Sequence, residues 1–168
     1  MIRRCGTIDV ESMYDVINDA ALAYKGVIPP DCWHEPYMSR AELMAGMKEM
    51  TFFGWEEEGK LRGVMGFQPV KDVTLVRHAY VMRSHQRRGI GGSLLRYVKG
   101  LATTRFLVGT WSDATWAIQF YEKHGFRLLP NKEDLLRKYW NIPQRQIETS
   151  VVLGLEFPRG RDESNHED

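Results

Sequence analysis

The 168-residue chain is 43% hydrophobic and 27% charged, with a net charge of +1. That is ordinary for one globular domain with a real core, and it gives no sign of a general nucleic-acid or anionic-membrane partner. Cys5 and Cys32 are the only cysteines, which argues against a disulfide framework or a Cys-rich metal site, so no metal is expected. The N-terminus has no apolar signal core and no run approaches 18 apolar residues, so the expected setting is the cytoplasm, with no membrane partner.

Ile2–Cys5 reads as a short edge strand. Met13, Val16, Ile17, Ala20, Ala21 and Tyr24 recur at helical spacing and predict a helix over 10–24, with Asp9 near its N-cap. Gly26 closes it and Pro29-Pro30 forbid continuation. The loop 26–38 is rich in aromatic residues. Trp33, Glu35, Tyr37 and Met38 stand between prolines, so this loop either caps the core or lines a pocket. Cys32-x-His34 is too short to be a metal motif. Ser39-x-x-Glu42 is a capping box opening a helix over 39–50, with Met44 and Met47 on its apolar face. Strands over 51–56, 61–70 and 73–81, joined by Glu57-Glu58-Gly59-Lys60 and Lys71-Asp72, form an antiparallel meander.

The third of these strands runs into Gln86-Arg87-Arg88-Gly89-Ile90-Gly91-Gly92 and then a helix over 93–101, whose Leu94, Leu95, Val98 and Leu101 share a face. A glycine turn opening a helix suits an anion. The first helical N–H groups lack partners, the dipole is positive there, and arginines add charge. The Walker pattern G-x-x-x-x-G-K-S/T is absent, and the dinucleotide pattern G-x-G-x-x-G fails at Leu94. An apolar strand at 106–111 follows, making a βαβ crossover and hence a parallel pair. Asp113 reads as the cap of a helix over 114–123. Trp116, Ala117, Phe120 and His124 share one face with Tyr121 beside them; Gly125 ends the helix and 126–129 is a strand.

Gln86-x-x-Gly89-x-Gly91 resembles the acetyl-CoA signature of the GNAT superfamily of N-acetyltransferases. About 30 residues on, Ala117-Ile118-Gln119-Phe120-Tyr121-Glu122-Lys123-His124-Gly125-Phe126 is similar to that family's A-x-x-x-Y-x-k-x-G-F segment. One departure stands out: the Asn that often precedes this helix and contacts the cofactor's pantetheine arm is Ala114 here. The resemblance implies an α/β GNAT fold, a mixed, mostly antiparallel sheet of six to seven strands that splays after the fourth, flanked by about four helices. It also implies that a helix over 132–140 is an insertion over the acceptor side. A final strand over 146–157 follows, within a single domain over 1–157. The polar stretch 158–168 is expected to be a disordered tail.

The chemistry implied is acetyl transfer from acetyl-CoA to an amine. Gln86, Arg87, Arg88, Gly89, Ile90, Gly91, Gly92 and Ser93 would hold the diphosphate, with Trp116 and Phe120 also on the cofactor. A backbone N–H at Val81 or Met82 would meet the charge developing on the thioester oxygen. Tyr121 occupies the family's position for the acid that protonates the leaving thiolate, and a phenol stays protonated at neutral pH. His78 stands where a base often sits; alternation places Val76, His78 and Tyr80 on one face. The acceptor pocket is expected from Trp33, Glu35, Tyr37, Met38, His78 and Tyr80, with Tyr139 and Trp140 nearby. Aromatics with one carboxylate suit a small cationic or amphipathic amine. A protein or peptide amine, or a non-catalytic acyl-CoA-binding module, are the other readings. Aromatics around Trp140 and the last strand offer a face for a homodimer.

Overall fold

A computed structural model describes residues 1–156. Its sheet has seven strands: β1 (Ile2–Arg4), β2 (Thr51–Glu57), β3 (Lys60–Val70), β4 (Val73–Val81), β5 (Arg105–Trp111), β6 (Arg127–Leu128) and β7 (Ser150–Leu155). The helices are α1 (Val10–Ala21), α2 (Arg40–Glu49), α3 (Ile90–Leu101), α4 (Thr115–Lys123), α5 (Lys132–Tyr139) and α6 (Gln144–Glu148). The spatial order is β1-β2-β3-β4-β5-β7-β6. Every pairing is antiparallel except β4 with β5.

That parallel pairing is short. It runs from Val73–Arg105 to Val76–Val108 and stops. Beyond it β5 continues with β7, from Gly109–Val152 to Trp111–Ser150, while the rest of β4 continues with β3. The two strands diverge and leave a cleft in the middle of the sheet, as the expected splay requires.

Opposite faces of the sheet are packed by different helices. Leu94, Leu95 and Val98 of α3, with Tyr121 and Phe126, bury one face against Phe53, Met65 and Val108. Met13, Val16 and Ile17 of α1, with Leu43 of α2, bury the other against Phe52 and Val64. Leu135, Leu136 and Tyr139 of α5 extend that second layer over Leu75, Leu107 and Val152. Apolar burial of this kind stabilises by about 25 cal/mol per Å².

Several local expectations are corrected. Asp9 stands at the N-cap of α1, as expected, but its side chain makes no capping hydrogen bond there. Its carboxylate turns back to accept from the Gly6 N–H at 2.8 Å and from both terminal nitrogens of Arg3 at 3.0 and 2.8 Å, fastening β1 to the start of α1. α1 ends at Ala21, and Leu22–Tyr24 tighten into a 3-10 turn. On α2 the buried residue is Leu43, with Met47 packed beside it, while Met44 is exposed. Asp113 is exposed and caps nothing; Ala114 is the N-cap of α4 and is fully buried. The long final strand is shorter at its start, because Gln144–Glu148 is helical. Pro143 precedes that helix, and Thr149 Oγ1 donates to the Arg145 carbonyl at 2.8 Å to close it. Alternation of strand type begins only at Ser150. Phe157 and the tail 158–168 lie outside the described residues.

α3 begins three residues earlier than its apolar periodicity suggests, so Gly91 and Gly92 are helical. Their role is close approach. A Cβ on Gly91 would lie 3.4 Å from the Phe120 ring, and one on Gly92 would lie 3.1 Å from the His124 ring. α4 thus sits directly on the first turn of α3. Gly89 is different: its φ of +81° makes the left-handed N-cap that turns the chain into the helix.

Candidate active site

The cleft between β4 and β5 is entered by a bulge in β4. Gly66 pairs with Arg77 and Val64 with Tyr80, so one extra residue of β4 faces β3. His78 takes up the irregularity with φ +51°. The bulge resets the alternation. Val76 packs with Val108 in the α3 layer, whereas His78 stacks on Phe52 at 6.1 Å and Tyr80 packs in the α1 layer. The expectation that Val76, His78 and Tyr80 share one face is corrected accordingly, although all three border the cleft.

At the end of β4 the backbone separates the two amides considered for the oxyanion. The Met82 N–H donates to the Arg62 carbonyl at 2.9 Å and is spent. Antiparallel alternation then turns the Val81 N–H and carbonyl away from β3, toward the split. Gln86 Nε2 donates to that Val81 carbonyl at 3.1 Å. The Gln86 side chain therefore fastens the turn to β4 and is not directed at an anion. In the turn itself, Arg87 and Gly89 both have positive φ, +67° and +81°. The Ser93 N–H donates to the Gly89 carbonyl at 3.0 Å. That leaves the amides of Ile90, Gly91 and Gly92 without intrahelical acceptors, at the positive end of a 12-residue helix. Arg88 lies 3.4 Å from Glu57, an exposed and weak pair. A Cβ on Gly91 would also come within 3.7 Å of Val81, so the glycine keeps this cradle open beside the split. The donor set fits a diphosphate group.

On the other side of the sheet the cleft encloses about 100 Å³. Its mouth is aromatic. Tyr24, Tyr37 and Tyr80 meet with ring centroids 5.3, 6.3 and 6.5 Å apart. Trp111 Nε1 donates to the Tyr37 hydroxyl at 2.8 Å. Trp116, exposed at the start of α4, stacks on Tyr24 at 5.9 Å. Burial pushes the phenols of Tyr24, Tyr37 and Tyr80 upward, so all three remain protonated at neutral pH. Trp140 covers the far wall, with its ring 3.4 Å from where a Cβ of Gly109 would sit. Gln146 of α6, Thr110 and Ser150 complete the polar lining.

The aromatic loop divides its residues between tasks. Tyr37 borders the cleft. Met38 is buried in the α1 layer, held by Asn18 through two hydrogen bonds of 2.9 and 3.0 Å, and does not line the pocket. Trp33 and Glu35 border a separate groove of about 580 Å³ beside Asp15, Asp19 and Leu22. Glu35 pairs with Lys25 at 3.0 Å. Tyr139 is buried and donates to Asp72 at 2.6 Å, a structural contact. Trp140, expected on a dimer face, is partly buried over the cleft. Tyr24, Arg77, Trp111 and Gln146 were not anticipated. In the sequence Tyr24 carries only the signal of a helix face, and Gln146 that of a strand.

Two titratable side chains carry the interest. Tyr121 is buried between Phe120 and Phe126, at 5.1 and 5.4 Å, and burial raises its pKa above the ordinary phenol value. His78 is pushed down to about 3 by burial, with the Arg77 charge adding to the effect. It is neutral at neutral pH and a poor base. Removing a proton from an ordinary alkylammonium would be strongly uphill for it, so its burial argues against the expected base role. Among the described residues no group of three His, Cys, Asp or Glu is placed to hold a metal ion. No described helix is long and apolar enough to cross a membrane.

The comparisons with known proteins agree with this architecture. A PaiA N-acetyltransferase from Thermoplasma acidophilum, solved with coenzyme A, superposes with a TM-score of 0.70 at 16% identity, covering 93% of this chain and 98% of that one. A ribosomal-protein-alanine N-acetyltransferase from Brucella melitensis gives 0.64 at 15%, covering 93% and 99%. A GNAT family acetyltransferase from Elizabethkingia anophelis with acetyl-CoA bound gives 0.63 at 21%, covering 93% and 97%. These likenesses establish the fold. In sequence, the chain is 38% identical over 56 residues to the uncharacterized N-acetyltransferase YjcF of Bacillus subtilis, a match spanning 33% of this chain and 40% of that protein. The family model for the acetyltransferase (GNAT) family matches residues 11–126, from α1 to the end of the A-x-x-x-Y segment. The chain belongs to the acetyltransferase (GNAT) family.

Proposed function

We propose that this protein is an acetyl-CoA-dependent N-acetyltransferase acting on the amine of a small molecule by direct attack on the thioester. The observation that carries this reading is the split between β4 and β5. An amide cradle at the start of α3 lies at one side of it and an aromatic cleft at the other. Bound acetyl-CoA would supply the activated acetyl group.

The residues then have separate tasks. The amides of Ile90, Gly91 and Gly92, with Arg87, hold the diphosphate. The Val81 N–H stabilises charge developing on the carbonyl oxygen. Tyr121 gives its proton to the departing sulfur as the new C–N bond forms and the C–S bond breaks; a phenol is protonated at neutral pH, and burial holds it so. His78, being neutral, accepts a hydrogen bond from the incoming amine, whose excess proton passes to water. Ala114 offers the pantetheine arm no polar side chain, so that arm relies on backbone. The cleft under Trp140, about 100 Å³, favours a small acceptor. The groove beside Asp15 and Asp19 favours a second reading, a peptide amine whose following residues lie there.

The test is thermal unfolding with acetyl-CoA, CoA, ATP and NAD, followed by free-thiol release with small amines and N-terminal peptides. Stabilisation by the CoA species alone, with thiol release on a small amine, is the expected result. Stabilisation without thiol release would favour a non-catalytic binding module. Stabilisation by ATP or NAD instead would overturn the reading of the turn.

A further inference from the structure

Among the described residues, the cleft is lined by one cationic residue, Arg77, and by no carboxylate. The acidic residues near the acceptor side stand elsewhere. Glu35 is tied to Lys25, and Asp19 accepts from the Arg83 backbone and side chain at 2.9 and 3.2 Å. Arg77 is half-buried, and its one side-chain hydrogen bond among the described residues goes to Gln68 Oε1 at 3.3 Å. Glu49 bears on it electrostatically but is too distant for an ion pair. A guanidinium withdrawn from water without a counter-ion is costly, and its fork of N–H donors matches a carboxylate. A simple alkylamine would meet nothing anionic in this cleft. An amine that also carries an acid group would meet Arg77, with Gln146 and the phenol hydroxyls as further donors.

We propose that the acceptor is an amine bearing a carboxylate, and that Arg77 binds that carboxylate and selects for it. The inference rests on the acetyl-transfer reading above. Arg77 and Val81 are four residues apart on β4, which at about 3.3 Å per residue is roughly 13 Å between their backbones. The amine end of the acceptor faces Val81 and its acid end faces Arg77.

The experiment is a set of matched acceptors assayed by thiol release from acetyl-CoA. 5-Aminopentanoate is compared with pentylamine, and 6-aminohexanoate with hexylamine, on the wild type, Arg77→Gln and Arg77→Lys. At least one acid is expected to exceed its carboxylate-free partner in kcat/KM by tenfold or more. Arg77→Gln is expected to raise KM for that acid about ten- to a hundredfold and to raise it at least tenfold less for the partner amine. Arg77→Lys is expected to recover part of the loss, which a merely structural role would not produce. Equal use of acid and partner by the wild type overturns the inference while acetyl transfer stands. An acid preference that persists in Arg77→Gln also overturns it. If neither acid releases thiol the inference falls, and the thermal shift with acetyl-CoA shows separately whether the cosubstrate reading falls too.

Discussion

Gly66 lies opposite the β4 bulge, and replacing it with alanine tests whether the bulge builds the site. A Cβ there would sit 2.7 Å from the Arg77 carbonyl oxygen and 2.9 Å from Met50 Sδ. Ordinary C···O contacts begin near 3.3 Å. The Met50 side chain can swing away, but the carbonyl is backbone in the bulge itself, so that strand must shift by roughly 0.6 Å. Overpacking of this kind costs about 1–3 kcal/mol. At about 2–4 °C per kcal/mol for a chain of this size, Tm drops by about 2–12 °C. The displaced bulge also carries His78 and the approach to Val81, and errors near 1 Å there cost up to about a hundredfold in rate. Gly66→Ala is therefore expected to lose at least about tenfold in acceptor kcat/KM while keeping its thermal stabilisation by acetyl-CoA. Gly100→Ala is the control: a Cβ there meets nothing within 4 Å, and a helical glycine replaced by alanine gains about 0.5–1 kcal/mol. Calorimetry and the thiol-release assay read both effects. A Gly66→Ala protein with wild-type Tm and acceptor kinetics would refute the reasoning.

Tyr121→Phe is expected to lower kcat about 10²–10⁴-fold without changing acetyl-CoA stabilisation, and an unchanged kcat removes Tyr121 from the chemistry. His78→Asn is expected to lower acceptor kcat/KM yet leave the shape of the pH–rate profile between pH 5 and 9 intact, because an imidazole held at about 3 does not titrate there. Loss of an inflection in that range would restore the base role. Asp9→Asn removes a carboxylate held by Arg3 and the Gly6 N–H, which keep its pKa below the ordinary value. The expected loss is about 2 kcal/mol at neutral pH. A depressed carboxyl stabilises the fold above its unfolded pKa near 4 and loses that contribution as pH falls through its folded value. The difference between wild type and variant therefore narrows toward pH 3, and a constant gap in urea unfolding from pH 7 to 3 would show that the effect is not ionic.

Elements that bury one periodic face were legible in the sequence. The meander, the glycine turn and the α4 segment follow from apolar spacing and turn residues. What depends on partners remote in sequence was not. Asp9 has the residue type of a cap, but Arg3 competes for its carboxylate. Gln144–Glu148 has too few apolar residues to show a period, and its helix is bounded by Pro143 before it and by the Thr149 hydroxyl bond to the Arg145 carbonyl after it. The bulge leaves no side-chain signature, so strict alternation put Val76 on the wrong face. The turn could be read as an anion cradle because its glycines are local. The acceptor cleft was legible only in part: Tyr37, His78, Tyr80 and Trp140 line it, but Tyr24, Arg77, Trp111 and Gln146 join them only once the sheet has split.

β4 and β5 are joined over Val73–Val76 and Arg105–Val108 alone. Mechanically the sheet is a pair of jaws on a short spine, β1–β4 forming one jaw and β5–β7–β6 the other. A ligand entering from either face bears on the same spine. On the proposed function, two ligands that seat in the split and favour different openings of it would be coupled through this spine although they occupy opposite sides. Linkage makes that coupling equal in both directions.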